Sequence, residues 1–280
     1  VLAQHRRAEV SLGRMMKTAE VNTTEPIVEY GRVYLRDDPP PIPPPEPASA
    51  HRIEHLDVQG LSCVYPDSTN GVYDVDLQIP RGSFTVVTGR IGSGKTTLVR
   101  ALVGVLPMQT GQILWNGEPV EDPRQFFLPP RCAYTPQVPR LFSESLRDNI
   151  LLGQPETEQM ISAAVRMGAL EDDIPTLERG LDTIVGPRGV KLSGGQIQRA
   201  AAARMFAREA ELYVFDDLSS ALDVETERIL WERLFATRQQ TCLVVSHRRP
   251  ALQRADQIIL LHEGRVSAVG TLEDLLATCT

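Results

Sequence analysis

Apolar and polar positions alternate most regularly over residues 73–79, where polar residues separate Tyr73, Val75, Leu77 and Ile79. A period of two puts those side chains on one face and predicts a half-buried strand. Residues 53–58 read as a strand before it. Four later runs, at 84–88, 212–215, 242–245 and 258–261, are apolar at nearly every position. Short apolar runs without alternation mark strands buried on both faces, as in a parallel sheet. Helical spacing lies between them, at 96–103, 158–167 and 196–208. Strand–helix alternation of this kind predicts an α/β fold with a mainly parallel sheet covered on both sides. Residues from about 140 to 198 carry mostly helical signals and read as an inserted helical subdomain.

The start of the chain has a different character. Residues 1–20 are polar with some helical potential, and a tract from Asp37 to Pro45 is dominated by proline. Such a tract packs as neither helix nor sheet and reads as a stiff, extended spacer. The organisation expected is therefore an N-terminal segment with a linker over 1–50 and one main domain over 51–280. The chain opens on Val1 without an initiating Met and reads as a fragment. Its apolar runs are too short to span a bilayer, and residues 1–17 lack the apolar stretch of a secretory signal. A net charge of -7 leaves no broad basic field, so nucleic acid is not the expected partner. Cys63, Cys132, Cys242 and Cys279 lie far apart, without zinc or dithiol spacing, and read as reduced thiols.

The chemistry begins at Gly89-Arg90-Ile91-Gly92-Ser93-Gly94-Lys95-Thr96, which fits the P-loop at every fixed position. A predicted strand precedes it and a predicted helix follows. Glycines let backbone N–H groups turn inward around phosphate oxygens at a helix N-terminus. Lys95 brings positive charge to the outer phosphates, and the Thr96 hydroxyl suits Mg²⁺, with Thr97 next in the helix. Asp216, at the end of the apolar run 212–215, is the expected carboxylate anchor for the same ion. ATP and Mg²⁺ are thus the expected ligands.

A second motif, Leu192-Ser193-Gly194-Gly195-Gln196, reads as a capping box opening a helix. Its two glycines leave the first-turn N–H groups bare, which suits another anion. On these motifs the chain resembles the nucleotide-binding domain of ABC transporters over about 51–280. The resemblance implies a P-loop ATPase core with a flanking antiparallel sheet and the helical subdomain. It also implies roles for single residues. Tyr65 is similar to the aromatic residue that stacks on adenine, and Gln137 in Tyr134-Thr135-Pro136-Gln137 to the Q-loop glutamine that senses Mg²⁺. Ser220-Ala221-Leu222-Asp223 matches the D-loop, and His247 resembles the switch histidine. In the family, two such domains meet head to tail, each ATP lying between one P-loop and the other chain's signature helix. Residues 141–150 and 182–189 resemble exporter segments, although Pro187 stands where the family has Glu. The resemblance then places the chain at the cytoplasmic face of a membrane, tethered through a transmembrane domain.

One position departs from the pattern. Asp217 stands where the family has the glutamate that polarises the attacking water. Its carboxylate is one methylene shorter, on the order of 1 Å, and a displacement of that size can cost about a hundredfold in rate. The expectation is ATP binding with slow hydrolysis. Two other readings stay open: a regulatory, slow or non-hydrolysing half of a heterodimeric transporter, and a soluble ABC-type ATPase.

Overall fold

The computed structural model describes residues 51–65, 68–154, 157–218, 222–236 and 240–278. The segment and linker over 1–50, Ser220 and Ala221 of the D-loop, and Cys279 lie outside the described residues.

The alternating segment belongs to a four-stranded antiparallel sheet. It is built from β1 (His55–Val64), β2 (Gly71–Pro80), β4 (Thr110–Trp115) and β5 (Glu118–Pro119), in the order β2-β1-β4-β5. Leu56 pairs with Ile79, Val58 with Leu77 and Leu61 with Val75, all on the buried face. The alternation does not hold back to Tyr73. A bulge shifts the register between the Leu61–Val75 and Cys63–Val72 pairs, and Asp74 sits in the left-handed region at φ 52°. An extra residue in one strand flips the faces beyond it. Val72 is therefore buried, and Tyr73 only half-buried.

The apolar runs form a second, six-stranded sheet from β3 (Phe84–Gly89), β6 (Cys132–Thr135), β7 (Leu212–Asp216), β8 (Thr241–Val245), β9 (Gln257–His262) and β10 (Arg265–Gly270). Its order is β10-β9-β3-β8-β7-β6. Every neighbouring pair is parallel except β9 with β10. The helices are α1 (Lys95–Leu102), α2 (Pro123–Phe126), α3 (Leu146–Leu151), α4 (Glu158–Met167), α5 (Gly194–Phe206), α6 (Val224–Ala236), α7 (Arg249–Arg254) and α8 (Leu272–Thr278).

Three cores hold these layers together. Leu98 and Leu102 of α1 pack with Leu56, Ile79, Val87 and Val214, joining the two sheets. On the other face, Trp231 of α6 meets Phe84 and Phe215 edge to face, at centroid distances of 5.4 and 5.6 Å. The helical subdomain has its own core, with Leu146, Ile150, Ile161, Val165, Ala200 and Ala203 in it. It extends from Leu141 to Ala207, so α5 runs on past residue 198. Helix α5 gives Ala202 and Met205 to the second core and Ala200 and Ala203 to the third. Small residues let it lie close to both. It is the strut shared by the two parts.

Candidate functional site

Ligands of open parallel sheets bind beyond the carboxyl ends of the strands. Here those ends bring the predicted residues together. The P-loop leaves β3, Gln137 follows β6, Asp216 ends β7 with Asp217 next, and His247 follows β8. Register keeps the ends level: Val245 pairs with Val87 on one side and Asp216 on the other. The Asp217 amide donates to the Val245 carbonyl at 3.1 Å. The result is a cleft of about 520 Å³ whose walls include Gly92, Gly94, Lys95, Thr96, Thr97, Gln137, Asp217 and His247. A slightly larger cleft, about 560 Å³, opens at the other end of the strands around Phe84, Phe235 and Cys242. That cleft has no helix N-terminus, so chemistry rather than size selects the P-loop cleft.

The loop needs its glycines. At Gly89, φ is 146° and an added Cβ would lie 2.2 Å from the Leu261 carbonyl oxygen. At Gly94, φ is 99° and a Cβ would lie 2.8 Å from Val72 Cγ1. Gly94 caps α1 without any side-chain hydrogen bond, and no acidic residue occupies the first turn. The helix therefore presents bare N–H donors, a ready anion site. Lys95 Nζ donates to the Gly89 and Arg90 carbonyls, each at 2.9 Å, so its charge lies over the loop. Ser93 Oγ is buried without a partner among the described residues. Arg90 and the fully exposed Ile91 form the outer rim.

Beneath the loop, Thr96 Oγ1 donates to Asp216 Oδ1 at 2.8 Å, and Tyr134 Oη donates to Asp216 Oδ2 at 3.5 Å. Burial pushes the Asp216 carboxyl up, Thr96 and Arg100 pull it back, and Asp217 adds to the rise. The Tyr134 phenol is pushed up to about 12 by burial and by Asp216. Gln137 Nε2 donates to Asp217 Oδ2 at 3.2 Å, while Asp217 Oδ1 is buried without a partner among the described residues. Burial raises the Asp217 carboxyl, opposed by His247, Gln137, Arg248 and Lys95. The Lys95 ammonium is lowered by burial and supported by Asp217 and Asp216. Asp217 is held at φ 51°, a conformation Asp tolerates better than most residues.

These groups fit a magnesium nucleotide. The uncapped helix, Lys95 and Asp217 line the cleft, and Thr96 links it to the buried Asp216. No group of three or more His, Cys, Asp or Glu that could hold a metal occurs among the described residues. Mg²⁺ needs no such group: it takes one or two protein oxygens and completes its shell with water and phosphate, a demand that the Thr96 hydroxyl and the Asp216 carboxylate match.

Other predicted residues stand elsewhere. Ser193 caps α5 with the expected reciprocal bonds: its Oγ accepts from the Gln196 amide at 3.2 Å, and its own amide donates to Gln196 Oε1 at 2.9 Å. Gly194 and Gly195 form the first turn, and none of these four lines the cleft. Tyr65 lies at the end of β1, partly exposed, and its amide donates to the carbonyl of the cleft-lining Asn70. Asp223 accepts from the Thr226 amide at 2.9 Å and from Thr226 Oγ1 at 2.6 Å, and so caps the start of α6.

The ABC transporter family profile matches residues 72–220, just over half of the chain. The chain belongs to the ABC transporter family. As a member it carries an ATP-binding domain of the ABC ATPase type. It is 35% identical over 225 residues to a Staphylococcus aureus protein assigned to multidrug export as an ATP-binding/permease protein, covering 79% of this chain and 39% of that one. It is 36% identical over 217 residues to an ATP-dependent lipid A-core flippase of Sodalis glossinidius, covering 76% of this chain and 37% of the relative. The chain thus spans about two-fifths of the length of these relatives. Among solved structures, a bacterial Atm1-family ABC exporter with ATP bound matches with a TM-score of 0.78 at 25% identity, covering 98% of this chain and 46% of that one. No helix among the described residues is long and apolar enough to cross a membrane.

Sequence reasoning missed several residues that support the site. Arg248 Nη1 donates to the buried Glu227 Oε2 at 2.7 Å and its Nη2 to the Leu222 carbonyl at 3.1 Å, tying the segment after His247 to the D-loop. Asp173 accepts from Arg199 through both oxygens and from Gln196 Nε2, bracing the signature turn. Spacing along the chain gives no sign of either contact, since each joins residues more than twenty apart.

Proposed function

We propose that this chain is the Mg-ATP-binding and hydrolysing domain of an ABC exporter, working at the cytoplasmic face of a membrane on an attached transmembrane domain. The observation that carries this reading is the Thr96–Asp216 hydrogen bond, directly below the uncapped helix of the P-loop. Thr96, Asp216 and Gln137 would hold Mg²⁺, which when bound neutralises charge on the outer phosphates. Gly92, Ser93, Gly94 and Thr97 cradle the phosphates, with Lys95 leaving its own loop carbonyls to reach them. Tyr65 supports the base.

Asp217 is the acceptor for the attacking water. Gln137 orients one carboxylate oxygen, leaving Oδ1, unpartnered among the described residues, to take the proton, and His247 opposes the rise that burial imposes on the carboxyl. Its short side chain makes hydrolysis slow. Ser193 and the two signature glycines serve the nucleotide of a second nucleotide-binding domain, and Asp223 faces that partner. That second domain is either another copy of this chain or a different one, and the complete capping box beside a short hydrolytic carboxylate supports the heterodimer as the alternative.

Single-turnover hydrolysis by the full chain tests the reading. Slow, magnesium-dependent phosphate formation that disappears in Lys95→Ala is expected. Equal phosphate formation by the variant would defeat it.

A further inference from the structure

A buried side chain of the signature helix reaches the Q-loop glutamine directly, beside the Arg204–Arg140 contact further along. Gln198, on the second turn of α5, is only 3% exposed, and its Nε2 donates to the Gln137 carbonyl at 2.8 Å. The Gln137 side chain in turn donates to Asp217 at 3.2 Å. Gln198 lies two residues beyond Gln196, whose side chain closes the capping box with Ser193. One short path therefore runs from the helix end reserved for a partner's nucleotide to this chain's own hydrolytic carboxylate.

Gln198 gains little for the fold. Its Oε1 is buried without a partner among the described residues, which costs free energy that an apolar side chain would not incur. Among the described residues its side-chain hydrogen bond goes to the carbonyl of an exposed residue, which water can satisfy when Gln198 is removed. A buried amide that is half unsatisfied and bonds to a functional loop is placed for that bond.

We propose that Gln198 is a positioning residue that sets the reach of Gln137 towards Asp217. Through it, seating of the signature helix on a partner's nucleotide adjusts hydrolysis at this chain's own P-loop. A shift of α5 at its N-terminus moves Gln198, and the Q-loop backbone follows because Gln198 holds the carbonyl of Gln137 itself. The proposal rests on the reading of Asp217 as the hydrolytic carboxylate.

The test compares the full chain with Gln198→Met, Gln137→Ala, the double variant and Asp217→Asn, measuring kcat and KM for Mg-ATP together with melting. Met is similar in length and apolar, so Gln198→Met should melt no lower than the parent. Its kcat should fall about tenfold, of the order expected for a misplaced catalytic group, with KM within twofold. The double variant should be no slower than Gln137→Ala alone, because both changes break one path. Unchanged kcat in Gln198→Met, or losses that multiply in the double variant, would overturn the proposal while leaving the hydrolytic reading intact. If Asp217→Asn turns over as fast as the parent, the hydrolytic reading fails and this proposal fails with it.

Discussion

Gln137 donates a hydrogen bond to Asp217 across the cleft, at 3.2 Å, joining the loop after β6 to the end of β7. Asp217 itself is pinned by its amide to Val245, on the strand beside its own. The backbone of Asp217 is therefore fixed from the side of the core, and side-chain length sets how far its carboxylate reaches into the cleft.

Asp217→Glu should raise turnover by up to about a hundredfold, since it restores the missing methylene to a backbone already held in place. Glu tolerates the left-handed φ of this position less well than Asp, so the variant should melt slightly lower. Steady-state phosphate release checks the first effect and a melting curve the second. No gain in rate would show that backbone placement already supplies the reach.

The raised carboxyl of Asp217 has a consequence for stability. A group protonated more readily in the folded state favours folding fully below its unfolded value, and this is lost as pH rises through the folded value. At neutral pH the ionised, partly desolvated carboxylate is therefore a cost that Asn would not carry. Asp217→Asn should melt a few degrees higher than the parent at neutral pH. The difference should close as pH falls through the window between the raised value and the ordinary carboxylate range. A gap that is constant with pH would contradict the assignment.

Glu227 is buried at 2% exposure and paired with Arg248 at 2.7 Å, with Trp231 Nε1 donating to its other oxygen. Arg248→Ala strands that carboxylate and should destabilise the fold by about 3 kcal/mol, as expected for breaking a buried pair from one side. Glu227→Gln keeps the hydrogen bond to Trp231 within reach and should cost less. Denaturant titration of both variants checks the order, and the reverse order would contradict it.

Much of this was legible beforehand, and the exceptions have physical causes. The strands of the parallel sheet and the P-loop announce themselves because their chemistry is local: apolar runs, fixed glycines and a lysine at set spacing. The helix over 158–167 matches α4 residue for residue, since its Thr157 cap and apolar face are both local signals. Strand β6 escaped notice because four residues at a sheet edge carry too little pattern, and β4 because its first three positions are exposed. Tyr73 was misplaced because a bulge is set by the partner strand. The Gln137–Asp217, Gln198–Gln137 and Arg248–Glu227 contacts depend on tertiary packing, and no spacing rule encodes them.

In the proposed function, the Ser193 hydroxyl serves two needs. As cap it only accepts, from the Gln196 amide, which leaves its proton free to donate to a partner's phosphate. Ser193→Ala should cost about 1 kcal/mol of stability through the lost cap. ATP-driven association, followed by sedimentation of the full chain with its partner, should suffer far more than melting. A collapse of melting with association intact would reverse the account.

The most direct measurement is equilibrium dialysis of the full chain against labelled ATP, with and without magnesium. Saturable, magnesium-dependent uptake of one nucleotide per chain is predicted, sharply weakened in Lys95→Ala and Thr96→Ala. No uptake by folded protein, or uptake untouched by either substitution, would contradict the site.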